Sequence, residues 1–207
     1  MPFSMTRTLP RLVRQDNHLP PGLPLWYVMT DIDRLPDPAS LIPDLPDQSA
    51  VIVRDTDSDR QFETLRRLLP GCRAHGVTLI ASLSRPPRTF LGDGIHIPER
   101  GLKHWKKTDI TRLQPSILTS SAHSAWSLRK AAWFGVDAYL LSPVFATKSH
   151  PGSASLGLPR FATICRNTSL PVVGLGGMSV HQSRRILMAG AVGIAGISLF
   201  EKLNPEH

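Results

Sequence analysis

Short runs of apolar residues recur eight times along the chain, at nearly regular intervals. They occupy residues 25–30, 50–54, 77–82, 94–97, 117–120, 138–142, 172–175 and 193–198. Each run is apolar at consecutive positions rather than at every second one, which is typical of a parallel strand covered on both faces. The pattern therefore predicts eight parallel β-strands.

Several segments between these runs carry helical signals. Residues 58–75 form an amphipathic pattern that ends at Gly76. The apolar face of this pattern holds Phe62, Leu65, Leu68 and Leu69. Two further helices are predicted to begin at Ser124 and Ser179, because a serine hydroxyl can cap a helix N-terminus. Residues 85–115 carry few helical signals, so helices there are predicted to be short or missing.

Strands that alternate with helices predict a single (β/α)8 barrel of the TIM type. An open, doubly wound sheet is the alternative, but no Gly-x-Gly-x-x-Gly sequence follows the first strand. Residues 1–24 contain five prolines, too many for a helix or a central strand. We therefore predict a poorly ordered arm over residues 1–24 and a barrel domain over residues 25–207.

The charge of the chain narrows the class of ligand. Hydrophobic residues make up 41% and charged residues 19%, which is ordinary for a globular protein. The formal net charge of +8 suits phosphorylated small molecules, nucleic acid or a membrane surface. The densest basic segment, residues 100–107, matches no nucleic-acid-binding motif, and a solvated loop is its plainer interpretation. We expect small phosphorylated ligands and neither nucleic acid nor a membrane.

The sequence also indicates a compartment. It has no apolar stretch near the roughly 18 residues of a membrane span. Its arginine-containing start lacks the apolar core of a secretory signal. Cys72 and Cys165 lie far apart without metal-ligand spacing, so neither a zinc site nor a disulfide is expected. The expected location is the cytoplasm.

Two predicted strand ends together can form a phosphate cradle. Gly176 and Gly177 follow the seventh strand, where glycine lets the backbone approach a phosphate, and Ser179 opens the next helix. Ile197 and Ser198 follow the eighth strand and offer N–H groups and a hydroxyl. Barrels keep their chemistry at the C-terminal ends of the strands. The alternative is that the glycines only form turns.

The loop of residues 142–157 is too long and too polar for a simple connection. Long loops in compact domains are usually functional. This one carries Thr147, Lys148, Ser149 and His150, which supply the hydroxyls and cationic groups that a diphosphate requires. The loop is therefore a candidate diphosphate site.

Five motifs in the second half of the chain carry a family resemblance. They lie at residues 135–139 (Gly-Val-Asp-Ala-Tyr), 143–147 (Pro-Val-Phe-Ala-Thr), 156–158 (Leu-Gly-Leu), 171–178 (Pro-Val-Val-Gly-Leu-Gly-Gly-Met) and 189–198 (beginning Ala-Gly-Ala-Val-Gly). Their order and spacing resemble the thiamine phosphate synthase and thiazole tautomerase superfamily over about 65 residues. The first half is similar more loosely, at residues 26–31 and 92–98.

The resemblance implies a barrel enzyme of thiamine biosynthesis. Such a transferase couples a pyrimidine methyl diphosphate to thiazole phosphate and releases diphosphate, with magnesium held by acidic residues. By the same resemblance, the diphosphate contacts are Thr147, Ser149 and Ser121. His150, with Lys148 nearby, stands where the family has a lysine. The thiazole phosphate is implied to bind at Gly176, Gly177, Ile197 and Ser198.

The chain departs from the family pattern on the diphosphate side. Arg54 matches a family arginine, but Ile52 and Thr56 replace the glutamine and lysine on either side of it. Leu83 and Gly101 stand at the two acidic metal positions, and neither side chain can bind magnesium. We therefore expect Mg²⁺ to bind weakly without diphosphate, and its ligands stay unknown. The carboxylates nearest to the predicted site are Asp31, Asp55 and Glu99.

Three functions follow from these observations. The first, which we expect, is a synthase with a rearranged metal site. The second is a tautomerase-like isomerase of thiazole carboxylate phosphate. For that reaction His123, beside Ser121, is the candidate general acid and base, since imidazole titrates near neutral pH. The third is a catalytically silent binding protein for thiamine-pathway phosphates. Whether the chain forms a homodimer stays open.

Overall fold

The computed structural model describes residues 21–122, 125–147, 155–197 and Leu199. Its strands are β1 (Trp26–Met29), β2 (Ser49–Val53), β3 (Thr78–Ser82), β4 (Gly94–Ile97), β5 (Ile117–Ala122), β6 (Ala138–Leu141), β7 (Val172–Leu175) and β8 (Gly193–Gly196). Its α-helices are α1 (Ser58–Ala74), α2 (Lys107–Leu113), α3 (Ala125–Phe134), α4 (Gly157–Asn167) and α5 (Val180–Met188). Two 3₁₀ helices cover Pro38–Asp44 and Glu99–His104.

The eight strands close into a barrel. Each strand pairs in parallel with its neighbours in the sequence, and β1 closes the ring by pairing with β8. Trp26, for example, lies opposite Ser49 on one side and Ile194 on the other. The predicted (β/α)8 barrel is therefore confirmed, and the open sheet is wrong. All eight predicted runs are strands, with their ends within two residues of the predicted ones.

Side chains alternate between the inside of the barrel and the layer beneath the helices, as the pleat of a strand requires. In β1, Tyr27 and Met29 point inward and join one apolar cluster. Trp26 and Val28 point outward and join the larger cluster that the helices cover. This alternation fixes which side chains reach the mouth of the barrel.

Helix α1 buries a different face from the one predicted. Leu65 and Leu68 are buried as expected, but Phe62 is 57% exposed. The buried stripe runs through Gln61, Leu65, Leu68 and Cys72. These positions are four, three and four residues apart, so they share one helical face, and Phe62 lies one position around the helix. The apolar residues alone therefore predict burial of Phe62, whereas the buried position next to it is the polar Gln61.

The segment between β3 and β5 contains little regular helix, as predicted. The described chain has no α-helix between β3 and β4, and only the 3₁₀ helix Glu99–His104 and the short α2 between β4 and β5. Trp105 is buried, and its indole N–H donates to the Leu83 carbonyl over 3.2 Å. The interpretation of residues 100–107 as a solvated loop is therefore wrong for Trp105, which packs beneath the strand-three loop.

The N-terminal end of the barrel is held by two aspartates that directly precede strands. The Asp93 carboxylate accepts a hydrogen bond from the Leu79 N–H at 2.8 Å, and Asp137 accepts one from the Leu118 N–H at 2.7 Å. Leu23, which is 1% exposed, packs into the interior cluster near this end. Leu23 lies within the predicted arm of residues 1–24, and residues 1–20 lie outside the described part, so the division into arm and barrel stays a prediction.

The remaining general predictions concern membranes and cysteines. Among the helices of the described ranges, none combines the length and the apolar character of a membrane span. Cys72 and Cys165 are free thiols, the first buried and the second half-buried. Burial raises the pKa of both thiols to about 11, so neither is a reactive thiolate near neutral pH.

Candidate active site

A cavity of about 680 Å³ opens at the C-terminal ends of the strands. Every strand contributes to the floor one inward side chain that lies within one residue of the strand's end. These eight residues are Met29, Arg54, Ser82, His96, Ser121, Ser142, Leu175 and Ile197. The volume falls within the roughly 300–1,000 Å³ range of small-molecule sites. Because the barrel interior below is filled by apolar side chains, the cavity ends at this layer.

The structure brings together five of the residues predicted from the sequence. Arg54, Ser121, Thr147, Gly176 and Ile197 all line the cavity. Gly177 is described but is not part of the lining. The other predicted residues lie outside the described part of the chain: His123, Lys148, Ser149, His150 and Ser198. The functional roles of all these residues stay predictions.

His96 lies at the centre of a polar cluster on the floor of the cavity. Its Nδ1 lies 3.0 Å from Thr119 Oγ1, and its Nε2 lies 2.9 Å from Ser121 Oγ. Burial, together with the positive charge of Arg54, lowers the pKa of His96 to about 3. The ring is therefore neutral near pH 7, with one nitrogen donating and the other accepting. This arrangement fixes the position of the Ser121 hydroxyl.

Opposite charges hold the residues that follow β1 and β2. The Arg54 guanidinium lies 3.3 Å from the Asp31 carboxylate. Asp55, also in the cavity lining, lies 3.1 Å from the Arg60 guanidinium. A hydrogen bond from the Asp57 amide, and then the Arg60 guanidinium, lower the pKa of the Asp55 carboxyl. Asp31 and Asp55 thus each form an ion pair with an arginine, Asp31 with Arg54 and Asp55 with Arg60.

The loop after β6 packs directly on the end of β7. The Val144 N–H donates to the Leu175 carbonyl over 2.9 Å, and the Phe145 N–H donates to the Gly176 carbonyl over 3.3 Å. Gly177 has a φ of +65°, and a Cβ there would collide with the Ala146 carbonyl oxygen and lie 2.9 Å from the Phe145 Cβ. Glycine at position 177 is thus required by this contact as well as by its backbone conformation.

The residues present do not fit the magnesium site that the resemblance implies. Leu83 packs against the outer core, and its backbone is held by hydrogen bonds to the His96 carbonyl and from the Trp105 indole. A Cβ at Gly101 would lie 2.8 Å from both Cα and the carbonyl oxygen of Ser84. Within the described ranges, no three His, Cys, Asp or Glu side chains are grouped to hold a metal.

The sequence assigns no function to two residues of the cavity wall, His96 and Arg100. His96 lies in a motif that only marks the fourth strand, and Arg100 lies in the basic segment interpreted as a solvated loop. Glu99 is predicted only as one of the carboxylates nearest to the site. One signal is available: the inward alternation of each strand, followed to its end or one position beyond it, gives the floor of the cavity. Glu99 and Arg100 lie on a 3₁₀ helix, where that alternation does not apply.

Comparisons with known proteins agree with this geometry. The family model described as thiamine monophosphate synthase matches residues 47–200. A putative thiamine-phosphate synthase 2 of Aquifex aeolicus is 36% identical over 109 residues, covering 52% of this chain and 57% of that protein. A thiamine-phosphate synthase of Roseiflexus castenholzii is 31% identical over 157 residues, covering 72% of this chain and 67% of that protein. The chain thus spans about half to two thirds of these relatives.

A solved structure supports the fold. The thiamine phosphate pyrophosphorylase from Pyrococcus furiosus superposes with a TM-score of 0.67 at 21% identity, and the match covers 86% of each chain. At this identity the likeness concerns the barrel alone. The assignment to a family rests on the family model, which matches residues 47–200. The chain belongs to the thiamine monophosphate synthase family.

Proposed function

We propose that this protein is a thiamine-phosphate synthase, a transferase that joins a pyrimidine methyl diphosphate to thiazole phosphate. The observation that carries the proposal is the cavity at the strand ends, whose floor combines apolar and hydrogen-bonding side chains in a chain of this family. Met29, Leu175 and Ile197 offer surface for flat heteroaromatic rings. Arg54, Ser121 and Thr147 offer donors for phosphate oxygens.

The proposed reaction needs no proton transfer at the bond that breaks. The C–O bond between the pyrimidine methylene and the diphosphate breaks, and its electron pair leaves with the diphosphate. The thiazole nitrogen then supplies a lone pair to form the new C–N bond. Charge develops on the leaving oxygens, so fixed donors directed at them supply most of the catalysis.

The two phosphorylated groups are proposed to bind at different ends of the cavity. The diphosphate would lie beside Arg54, Ser121 and Thr147, with Ser121 held in place by the neutral His96. The thiazole phosphate would lie at the ends of β7 and β8, near Gly176 and Ile197. Lys148, Ser149, His150 and Ser198 belong to the same proposal. No observation on the described residues favours the isomerase or the silent binding protein, and the cytoplasmic location and the homodimer stay open.

The proposal is tested by incubating the full-length protein with both substrates, once with Mg²⁺ and once with EDTA. We expect thiamine phosphate by mass spectrometry, with one diphosphate released per product molecule. Omission of either substrate should abolish the product. Arg54→Gln should reduce kcat/KM at least tenfold, since it removes a charged donor from the cavity. Absence of product under both metal conditions would refute the synthase assignment.

A further inference from the structure

Arg100, an exposed residue of the 3₁₀ helix that follows β4, is part of the cavity lining. It shares the cavity wall with Arg54, which follows β2, and the end of β3 lies between these two elements in the barrel. No described residue forms an ion pair with Arg100, whereas Arg54 is paired with Asp31. The wall therefore contains two arginines, and an arginine guanidinium is shaped to bind phosphate oxygens in pairs.

The neighbouring position, Gly101, is closed to any carboxylate. The Ser84 backbone lies where a side chain at position 101 would have to start. The Leu83 backbone is held on both sides, so the strand-three loop cannot move away without breaking hydrogen bonds to His96 and Trp105. The resemblance places the acidic metal ligands at positions 83 and 101. Packing fills both positions in this chain, and Arg100 directly precedes Gly101.

The cavity lining contains two carboxylates, Asp55 and Glu99, and these do not replace the two missing metal ligands. Asp55 is bound to the Asp57 amide and to the Arg60 guanidinium. Glu99 lies beside Arg100 on the same 3₁₀ helix. A single carboxylate next to a guanidinium is a poor magnesium site, because the arginine repels the ion.

We propose that Arg100, together with Arg54, replaces magnesium as the cationic group that binds the diphosphate, so that the protein works without a divalent metal. This inference rests on the proposed function, because it names the diphosphate-binding residues of that same site. The guanidinium would bind the non-bridging oxygens and stabilise the charge that develops as the C–O bond breaks. The reaction then balances with arginine as a spectator charge that neither gains nor loses a proton.

The test titrates inorganic pyrophosphate into the full-length protein by calorimetry, in EDTA and in excess Mg²⁺. We expect binding in EDTA that Mg²⁺ strengthens less than threefold. Arg100→Gln should weaken it about tenfold or more, the loss of a charged hydrogen bond, and Arg100→Lys should lie between. Arg73→Gln is the matched control, since Arg73 is exposed near the C-terminus of α1 and is not part of the cavity lining. It should bind as the wild type does.

Glu99→Gln separates the two ways of neutralising the diphosphate. If Arg100 is the cation, removing the negative charge beside it should strengthen pyrophosphate binding in EDTA. If Glu99 holds a metal, the same variant should lose its Mg²⁺-dependent binding, and the proposal is then wrong. Pyrophosphate binding only with Mg²⁺, no binding in either buffer, or wild-type binding by Arg100→Gln would each overturn it as well. Thermal unfolding of every variant checks that the fold is intact.

Turnover distinguishes this inference from the function on which it rests. Thiamine phosphate formed in Mg²⁺ but not in EDTA would leave the synthase assignment standing and overturn the role of Arg100. Metal-free pyrophosphate binding that depends on Arg100, with no turnover in either buffer, would support the arginine site and refute the synthase. Turnover in EDTA that Arg100→Gln reduces at least tenfold, with Arg73→Gln unaffected, would support both.

Discussion

His96 connects the apolar interior of the barrel with the polar cavity above it. Its ring is buried and hydrogen-bonded on both sides to hydroxyls, so adding a proton would reverse one of these hydrogen bonds and place a charge in a buried site. The positive Arg54 nearby opposes that charge further. In the folded protein His96 therefore stays neutral down to a pH of about 3, whereas in the unfolded chain it takes up a proton near pH 6.5.

This difference predicts that acid weakens the fold through His96. Between pH 6.5 and 3 the unfolded chain binds one proton more than the folded one, so the free energy of unfolding falls as the pH falls. The slope from this residue alone reaches about 1.4 kcal/mol per pH unit, and its contribution is fully present above pH 6.5. Urea denaturation at pH 7, 6 and 5 measures it. His96→Gln should show a flatter dependence; an unchanged slope would contradict the assignment.

Residues of the cavity floor were predictable wherever the strand pattern reached them. Ser121 follows from the inward alternation within its strand, and Arg54 and Ile197 follow because that alternation continues one position past the strand's last residue. Arg100 was not predictable in this way. Its place in the wall depends on the close packing of Gly101 against Ser84, a contact between two loops that no local pattern in the sequence encodes.

Helix α1 is fixed to the barrel by a polar side chain inside its apolar stripe. The Gln61 amide donates to the Val53 carbonyl over 2.9 Å and to the Ser82 carbonyl over 2.8 Å. These carbonyls end β2 and β3, directly below Arg54 and the strand-three loop. The helix thus donates to the carbonyls at the ends of two neighbouring strands.

Gln61→Leu should therefore destabilise the protein, although it adds an apolar residue to a buried position. Two buried carbonyls lose their donors, at a cost of about 2–4 kcal/mol in the free energy of unfolding. Chemical denaturation measures the change. Phe62→Ala is the matched control on the same turn, because Phe62 is mostly exposed, and it should change stability by about 0.5 kcal/mol or less. Equal effects of the two variants would refute the role of Gln61.

The elements themselves were largely predictable from the sequence, for a physical reason. Strands buried on both faces must be apolar throughout, so their positions are visible without knowledge of their partners. The face of a helix is less visible when a polar residue such as Gln61 occupies a core position, because its partners are distant backbone carbonyls. The 3₁₀ helix Glu99–His104 also escaped prediction, since three residues per turn give no clear amphipathic pattern over six positions.

At the scale of the whole molecule, the two ends of the closed barrel differ. At the C-terminal end the ring of eight strands leaves the cavity open. At the N-terminal end it is closed by side chains, among them Leu23, which packs with Tyr27 in the interior cluster. Counting apolar runs predicts eight strands and hence closure. It does not predict what closes the N-terminal end, because Leu23 lies between prolines and carries no strand or helix signal.

Leu23→Ala should destabilise the whole barrel rather than one element. A leucine that is 1% exposed leaves a cavity when it is truncated, and the interior of a closed barrel has little freedom to collapse around it. The expected loss is about 2–5 kcal/mol in the free energy of unfolding, as a single cooperative transition. Ile32→Ala is the control, since Ile32 is 64% exposed and its truncation leaves no buried void. If Leu23 instead belonged to a poorly ordered arm, its truncation would change the free energy no more than Ile32→Ala does.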